Sequence, residues 1–191
     1  EITLGNTNVN HLRIPGIGVS FSTGGAVISG IVTATNFAKA DGSPLGGVSS
    51  DANGNTIGGT NSGDTISTGY RNTLFGFDTG TDIQDGARNS YFGWQAGANS
   101  NAIDDVGVGY KALFTTTSGY FNTAIGKESL ENLTDGIGNV AIGWQAGRSI
   151  TSGDNNIAIG REAASSSATV DNEITLGNSN INHLRIPGIG V

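Results

Sequence analysis

From Phe75 onward the apolar positions keep one beat. An apolar residue followed by glycine recurs at Phe75-Gly76, Phe92-Gly93, Val108-Gly109, Ile125-Gly126, Ile142-Gly143, Ile159-Gly160 and Leu176-Gly177, at spacings of 17, 16, 17, 17, 17 and 17 residues. Four residues before each glycine stands Asn72, Asn89, Asp105, Asn122, Asn139, Asn156 or Glu173. Seven before it, five copies carry Gly69, Gly86, Gly119, Gly136 or Gly153. In a strand, residues one and three before the glycine share a face and the intervening residue points the other way. That intervening residue is Ala124, Ala141 or Ala158 in the cleanest copies and Gly107 in another. Both faces therefore read as packed, one by branched aliphatics and one by something leaving no room beyond a methyl. A second chain is the natural neighbour for the small face.

Helical repeats need about 33 residues or more per unit and helix-forming interiors. Here Gly, Asn, Ser and Thr punctuate short β-branched runs, which predicts an all-β fold: a repetitive parallel β-solenoid or β-roll with coils of about 17 residues. The fixed Asn and Gly fit turns, since both tolerate positive φ. Each coil then holds two short strands and two turns, and stacked coils rise by about 4.8 Å, the ordinary strand separation. A single coil buries too little alone, so stability must come from stacking and from association. An intertwined homotrimeric fibre is the expectation.

The chain ends as it begins: EITLGNTNVNHLRIPGIGV at 1–19 returns as EITLGNSNINHLRIPGIGV at 173–191, identical at seventeen of nineteen positions. This reads as one unit of a tandem array with a 172-residue period. Four segments follow: 1–19 as the end of a preceding unit, 20–57 as a β-rich connector, 58–172 as the solenoid, and 173–191 as the start of the next unit. Ala26–Phe37 is a strand candidate, Ala40–Thr65 is turn-rich with a degenerate coil around Ile57 and Gly59, and Pro15 and Pro187 end the stack.

Composition narrows the function. Of 191 residues 32 are Gly and 13% are charged, against a usual charged share of about 25%. Sixteen acidic against nine basic residues give a net charge of −7, which disfavours nucleic acid and anionic lipid. The chain has no Cys, removing thiolate and zinc-finger chemistry, and no apolar run of membrane-spanning length.

The NTAIG-type coil is similar to the head repeats of trimeric autotransporter adhesins, which form a left-handed parallel β-roll in a homotrimer. The ITLGNSNINHLRIPG segment, with VTATNF and ADGSPL, resembles tailed-phage fibre proteins, especially those infecting aquatic bacteria. Together these resemblances cover residues 1–39 and 69–191. They imply a virion tail fibre serving reach and host attachment. Its partners would be other copies of itself, in trimers and end to end, and a host-surface glycan or protein receptor. The alternative is a bacterial cell-surface adhesin or extracellular filament built from the same units.

Candidate chemistry is sparse. Phe77, Trp94, Tyr110 and Trp144 follow the repeat glycine where other coils carry Lys127 and Arg161, which suggests a subunit boundary or a glycan-stacking platform. His11 and His183 lack convergent partners, and Asp51, Asn53 and Asn55 mimic only the first half of a calcium loop. Asp78, Asp82 and Asp85 form the first candidate for a divalent cation, read by default as a solvated loop. With no nucleophile triad, phosphate loop or preorganised carboxylate pair, the expectation is no enzyme, no cofactor and no metal.

Overall fold

The computed structural model describes the backbone of residues 18–22 and 25–29, and residues 48–183. The chain forms two compact units, Glu1–Leu45 and Gly46–Val191. In the first, β1 (Gly18–Ser22) and β2 (Gly25–Ser29) pair antiparallel, Gly18 opposite Ser29 and Ser22 opposite Gly25. β2 covers the start of the Ala26–Phe37 strand candidate; its remainder, His11, Pro15 and Pro187 lie outside the described residues.

The second unit is a β-solenoid. β3 (Val48–Ser50), β4 (Thr56–Gly58), β5 (Thr73–Phe75), β6 (Ser90–Phe92), β7 (Val106–Val108), β8 (Thr123–Ile125), β9 (Val140–Ile142), β10 (Ile157–Ile159) and β11 (Ile174–Leu176) form one nine-stranded sheet in chain order. β3 runs antiparallel to β4, and every later pair is parallel, so that Thr123 faces Val140 and Val140 faces Ile157. A second, minimal ladder bridges Ala87, Ile103, Tyr120 and Ile137 in successive coils. In these four coils the expected second strand is reduced to a single bridged residue. The parallel sheet begins at Thr56 and ends at Leu176, past both ends of the 58–172 segment, so the degenerate coil at Ile57 and the duplicated ITLG segment both belong to the stack.

The strand faces are the reverse of what the small residues suggested. Leu74, Tyr91, Ala124 and Ala141, each two residues before the glycine, have no exposed surface, whereas Phe92, Ile125, Ile142 and Ile159 are 42, 40, 39 and 40% exposed. The small face points into its own coil, and the branched aliphatics point out. Space explains this, since a 17-residue coil closes around a narrow interior already filled by Leu130, Leu133, Ile150 and Ala146. Where the strand residue is large, the far side shrinks. Tyr91 lies across from Gly97, where a Cβ would sit 2.7 Å from the ring carbon Cζ, and its hydroxyl meets Ser100 Oγ at 2.8 Å. Tyr91→Phe is expected to cost about 1 kcal/mol in urea unfolding, the usual net value of a buried hydrogen bond; an unchanged midpoint would mean Ser100 re-pairs.

Coils are joined through a buried asparagine ladder. Asn139 Oδ1 accepts the backbone N–H of Asn156 at 2.9 Å, and Asn139 Nδ2 donates to the Gly153 carbonyl at 2.8 Å. The same pair of bonds repeats from Asn55, Asn72, Asn122 and Asn156, and from Asn89 with a one-residue-shorter reach to Ala102. Both ends of the ladder are carboxylates. Asp51 accepts from the backbone and side chain of Asn55, and Glu173 accepts from Ser166 N and Thr175 Oγ1. Burial works against the Asp51 anion, but the hydrogen bonds from Asn55 and Asn53 outweigh it and hold the carboxyl below its usual range. The bond from Ser166 does the same for Glu173. Positive φ falls on the residue before each rung, at Gly54, Arg71, Arg88, Asp104, Phe121, Gly138, Asn155 and Asn172, and not on the ladder asparagines. These asparagines are kept for hydrogen bonding between coils rather than for turn geometry.

Candidate interaction surface

The outward strand face carries a row of partly exposed apolar side chains along the solenoid. Phe75, Phe92, Val108, Ile125, Ile142, Ile159 and Leu176 stand one above another by the strand register. They are flanked by the half-buried Thr73, Ser90, Val106, Thr123, Val140 and Ile157. Phe75 and Phe92 stack with centroids 5.6 Å apart and planes 2° from parallel. No charged side chain occupies either row. An uncharged apolar row of this length is the kind of surface that monomeric proteins seldom leave uncovered.

Two residues further along each coil, past the repeat glycine, runs the aromatic row. Phe77 and Trp94 meet edge to face at 6.5 Å and 81°, and Trp94 and Tyr110 are tilted by 54° at 5.0 Å. The row continues through cations: Lys127 lies 5.7 Å from the Tyr110 ring and Arg161 lies 4.9 Å over Trp144. The structure thus brings Phe77, Trp94 and Tyr110 into one contact series and places Trp144 apart from them, beyond Lys127. The three rings are not coplanar, so they present edges and single faces rather than one flat platform. Trp94, at 55% exposed, offers the largest open surface of the row.

Beside this row lies a charged flank that the sequence pattern did not single out. Arg148 bonds Glu131 at 2.7 Å and approaches Glu128 at 3.9 Å, while Lys111 and Lys127 lie 3.8 and 3.2 Å from Glu131 and Glu128. Gln145 Nε2 donates to Glu128 at 2.6 Å, and this bond, with the two cations, holds the Glu128 carboxyl below its usual range. These residues share a flank because two columns of the repeat lie side by side, Lys111, Glu128 and Gln145 two residues after the glycine and Glu131 and Arg148 five after it. A depression of about 340 Å³ opens here, lined by Asn132, Gln145, Arg148, Ser149, Glu162 and Ala164. In its lining Arg148 is paired with Glu131 at 2.7 Å and Glu162 with Arg161 at 3.3 Å.

The remaining candidates do not converge. Asp78 accepts from Asn61, Asp85 accepts from Thr68 and Ser67, and Asp82 is exposed at a different place around the coil. Among the described residues no group of three or more His, Asp or Glu could hold a metal ion. His183 is exposed. At Gly76, Gly93, Gly109, Gly126, Gly143 and Gly160 an added Cβ would run into the glycine of the next coil, and at Gly177 into the side chain of Ile181. No helix among the described residues is long and apolar enough to cross a membrane. No protein-family model matches the chain, and no curated protein or solved structure matches it.

Proposed function

We propose that the chain is a unit of a structural fibre that gives reach and surface attachment, assembled as a parallel homotrimer. The observation that carries this reading is the outward apolar strand face repeated at every coil. Three copies meeting at one axis would cover it along its whole length, and in-register association puts like residues at the same level. The neighbouring chain is thus assigned to the aliphatic face instead of the small-residue face. The exposed aromatic row and its charged flank then lie at the subunit edge, where a host-surface glycan or protein would make contact. The resemblance in ITLGNSNINHLRIPG favours a tailed-phage tail fibre over a bacterial surface filament.

Light scattering is expected to give three times 19.3 kDa for the intact chain. Ile142→Asp, which places a charge on the outward face, is expected to reduce the mass to 19.3 kDa with the β-sheet circular dichroism retained. A folded wild-type monomer overturns the assembly. Immunogold labelling with an antibody to the Trp94 and Trp144 region tests the owner, with label along virion tail fibres expected and label on cell envelopes pointing to the adhesin.

A further inference from the structure

We propose that Asp105 is a protonated rung of the asparagine ladder, a neutral carboxylic acid donating its hydrogen to the Gly119 carbonyl, and that raising the pH through neutrality loosens the stack at this coil. The other rungs share one wiring. Each asparagine uses Oδ1 as acceptor for the next rung and Nδ2 as donor to a carbonyl 14 residues on, or 13 for Asn89, as in the Asn122 to Gly136 and Asn139 to Gly153 bonds. Asp105 reproduces the acceptor half, taking Asn122 N at 2.8 Å and Asn122 Nδ2 at 3.3 Å on Oδ1. Its Oδ2 stands where a donor belongs, and it is buried without a partner. The fourteen-residue offset of the Asn122 and Asn139 bonds assigns the Gly119 carbonyl, which also accepts from Ile103 N at 3.4 Å, as its counterpart. An anionic oxygen there would oppose a carbonyl oxygen in a dry interior, whereas an O–H restores the missing bond.

The surroundings favour the neutral form. Burial drives the carboxyl up from 3.8 to about 7; the bonds from Asn122 pull the other way, and Asp104 adds repulsion. The titratable neighbours are Asp104, itself ion-paired to Arg88 at 2.6 Å, and Tyr91 of β6, whose own hydroxyl is raised by burial and by Asp105. The rungs on either side, Asn89 and Asn122, carry no charge. Asp105 also sits in the one coil that is a residue short, with 16 residues between Gly93 and Gly109 and Ala102 in the place of the usual glycine. Because the folded carboxyl holds its proton more tightly than the unfolded one, its stabilising contribution is complete below about 3.8 and is lost as the pH rises to about 7.

The test compares the intact chain with Asp105→Asn, the residue the ladder uses elsewhere, at one protein concentration so that association is held fixed. Between about pH 4 and about pH 8 the folding equilibrium constant of the wild type is expected to fall roughly a hundred- to a thousandfold relative to the variant. The infrared carbonyl stretch of a protonated carboxylic acid at about pH 6 is expected in the wild type and not in the variant. Equal pH dependence in the two proteins overturns the proposal, as does a wild type lacking that band. A variant that fails to fold overturns it too, because asparagine fits every neighbouring rung.

Discussion

Gly126→Ala is expected to leave the coil stack largely unfolded, losing more than about 4 kcal/mol in urea titration, the range reserved for breaks in a core or backbone contact. Gly126 sits at the corner after β8 with φ +137°, a region that L side chains avoid, and its own N–H donates to the Val108 carbonyl at 2.8 Å. A Cβ there would lie 2.6 Å from the Gly143 carbonyl carbon. The obstacle is backbone, so no rotamer change relieves it. The two coils would have to separate, which breaks the Gly143 N–H to Ile125 bond of 2.8 Å and the ladder beside it. In a stack whose stability is a sum of nearest-neighbour interfaces, losing a central one leaves two short pieces that are each marginal. Gly138→Ala is the control. Gly138 also has positive φ, +68°, but no atom lies within 4 Å of its would-be Cβ. It should cost only about 1–2 kcal/mol, the conformational penalty alone. If the two variants unfold at the same denaturant concentration, close approach of the coils is not what the repeat glycine serves.

The contrast shows what the sequence could and could not reveal. The period was legible because Gly126 and its equivalents fail sterically at any other residue, so the ruler is written into every copy. The direction of the strand faces was not. Alternation tells inside from outside when one face is polar, but Asn-Val-Ala-Ile-Gly is apolar on both. Only the width of the closed coil decides that Ala141 goes in and Ile142 goes out, and that width depends on Leu130 and Ile150, which come from the opposite side of the coil. The aromatic row was legible as a register, through Phe77, Trp94, Tyr110 and Trp144, but the ring tilts and the Arg161 cover over Trp144 depend on side-chain packing. The Glu128, Glu131 and Arg148 cluster mixes two offsets from the glycine. No single column of the repeat displays it.

The second large effect is expected at Asn139, and here the sequence pointed to the right residue for the wrong reason. Read as a turn former, Asn139 should tolerate Asp, Gly or Ser. Read as a ladder rung, it needs an acceptor and a donor on one short side chain, which Gly and Ser cannot supply and Asp supplies only when protonated. Asn139→Ala removes the acceptor of Asn156 N and the donor to Gly153 O, leaving both groups in the interior, and it also removes the 3.1 Å bond from Asn156 Nδ2. At about 1–3 kcal/mol for each buried group left unpaired, the loss should reach about 3–5 kcal/mol. Asn132→Ala removes an exposed bond to the Arg148 carbonyl and should change stability by less than about 0.5 kcal/mol. Asn139→Asp separates the two explanations further. It keeps the acceptor oxygen and the shape, so a turn role would leave it unaffected by pH. In a ladder role the second oxygen must carry a proton to reach Gly153, so the variant should hold near wild-type stability in acid and weaken as the pH rises through neutrality. Urea midpoints of Asn139→Asp that stay level with pH would return the asparagine row to the turn reading, and with it the neutral state assigned to Asp105.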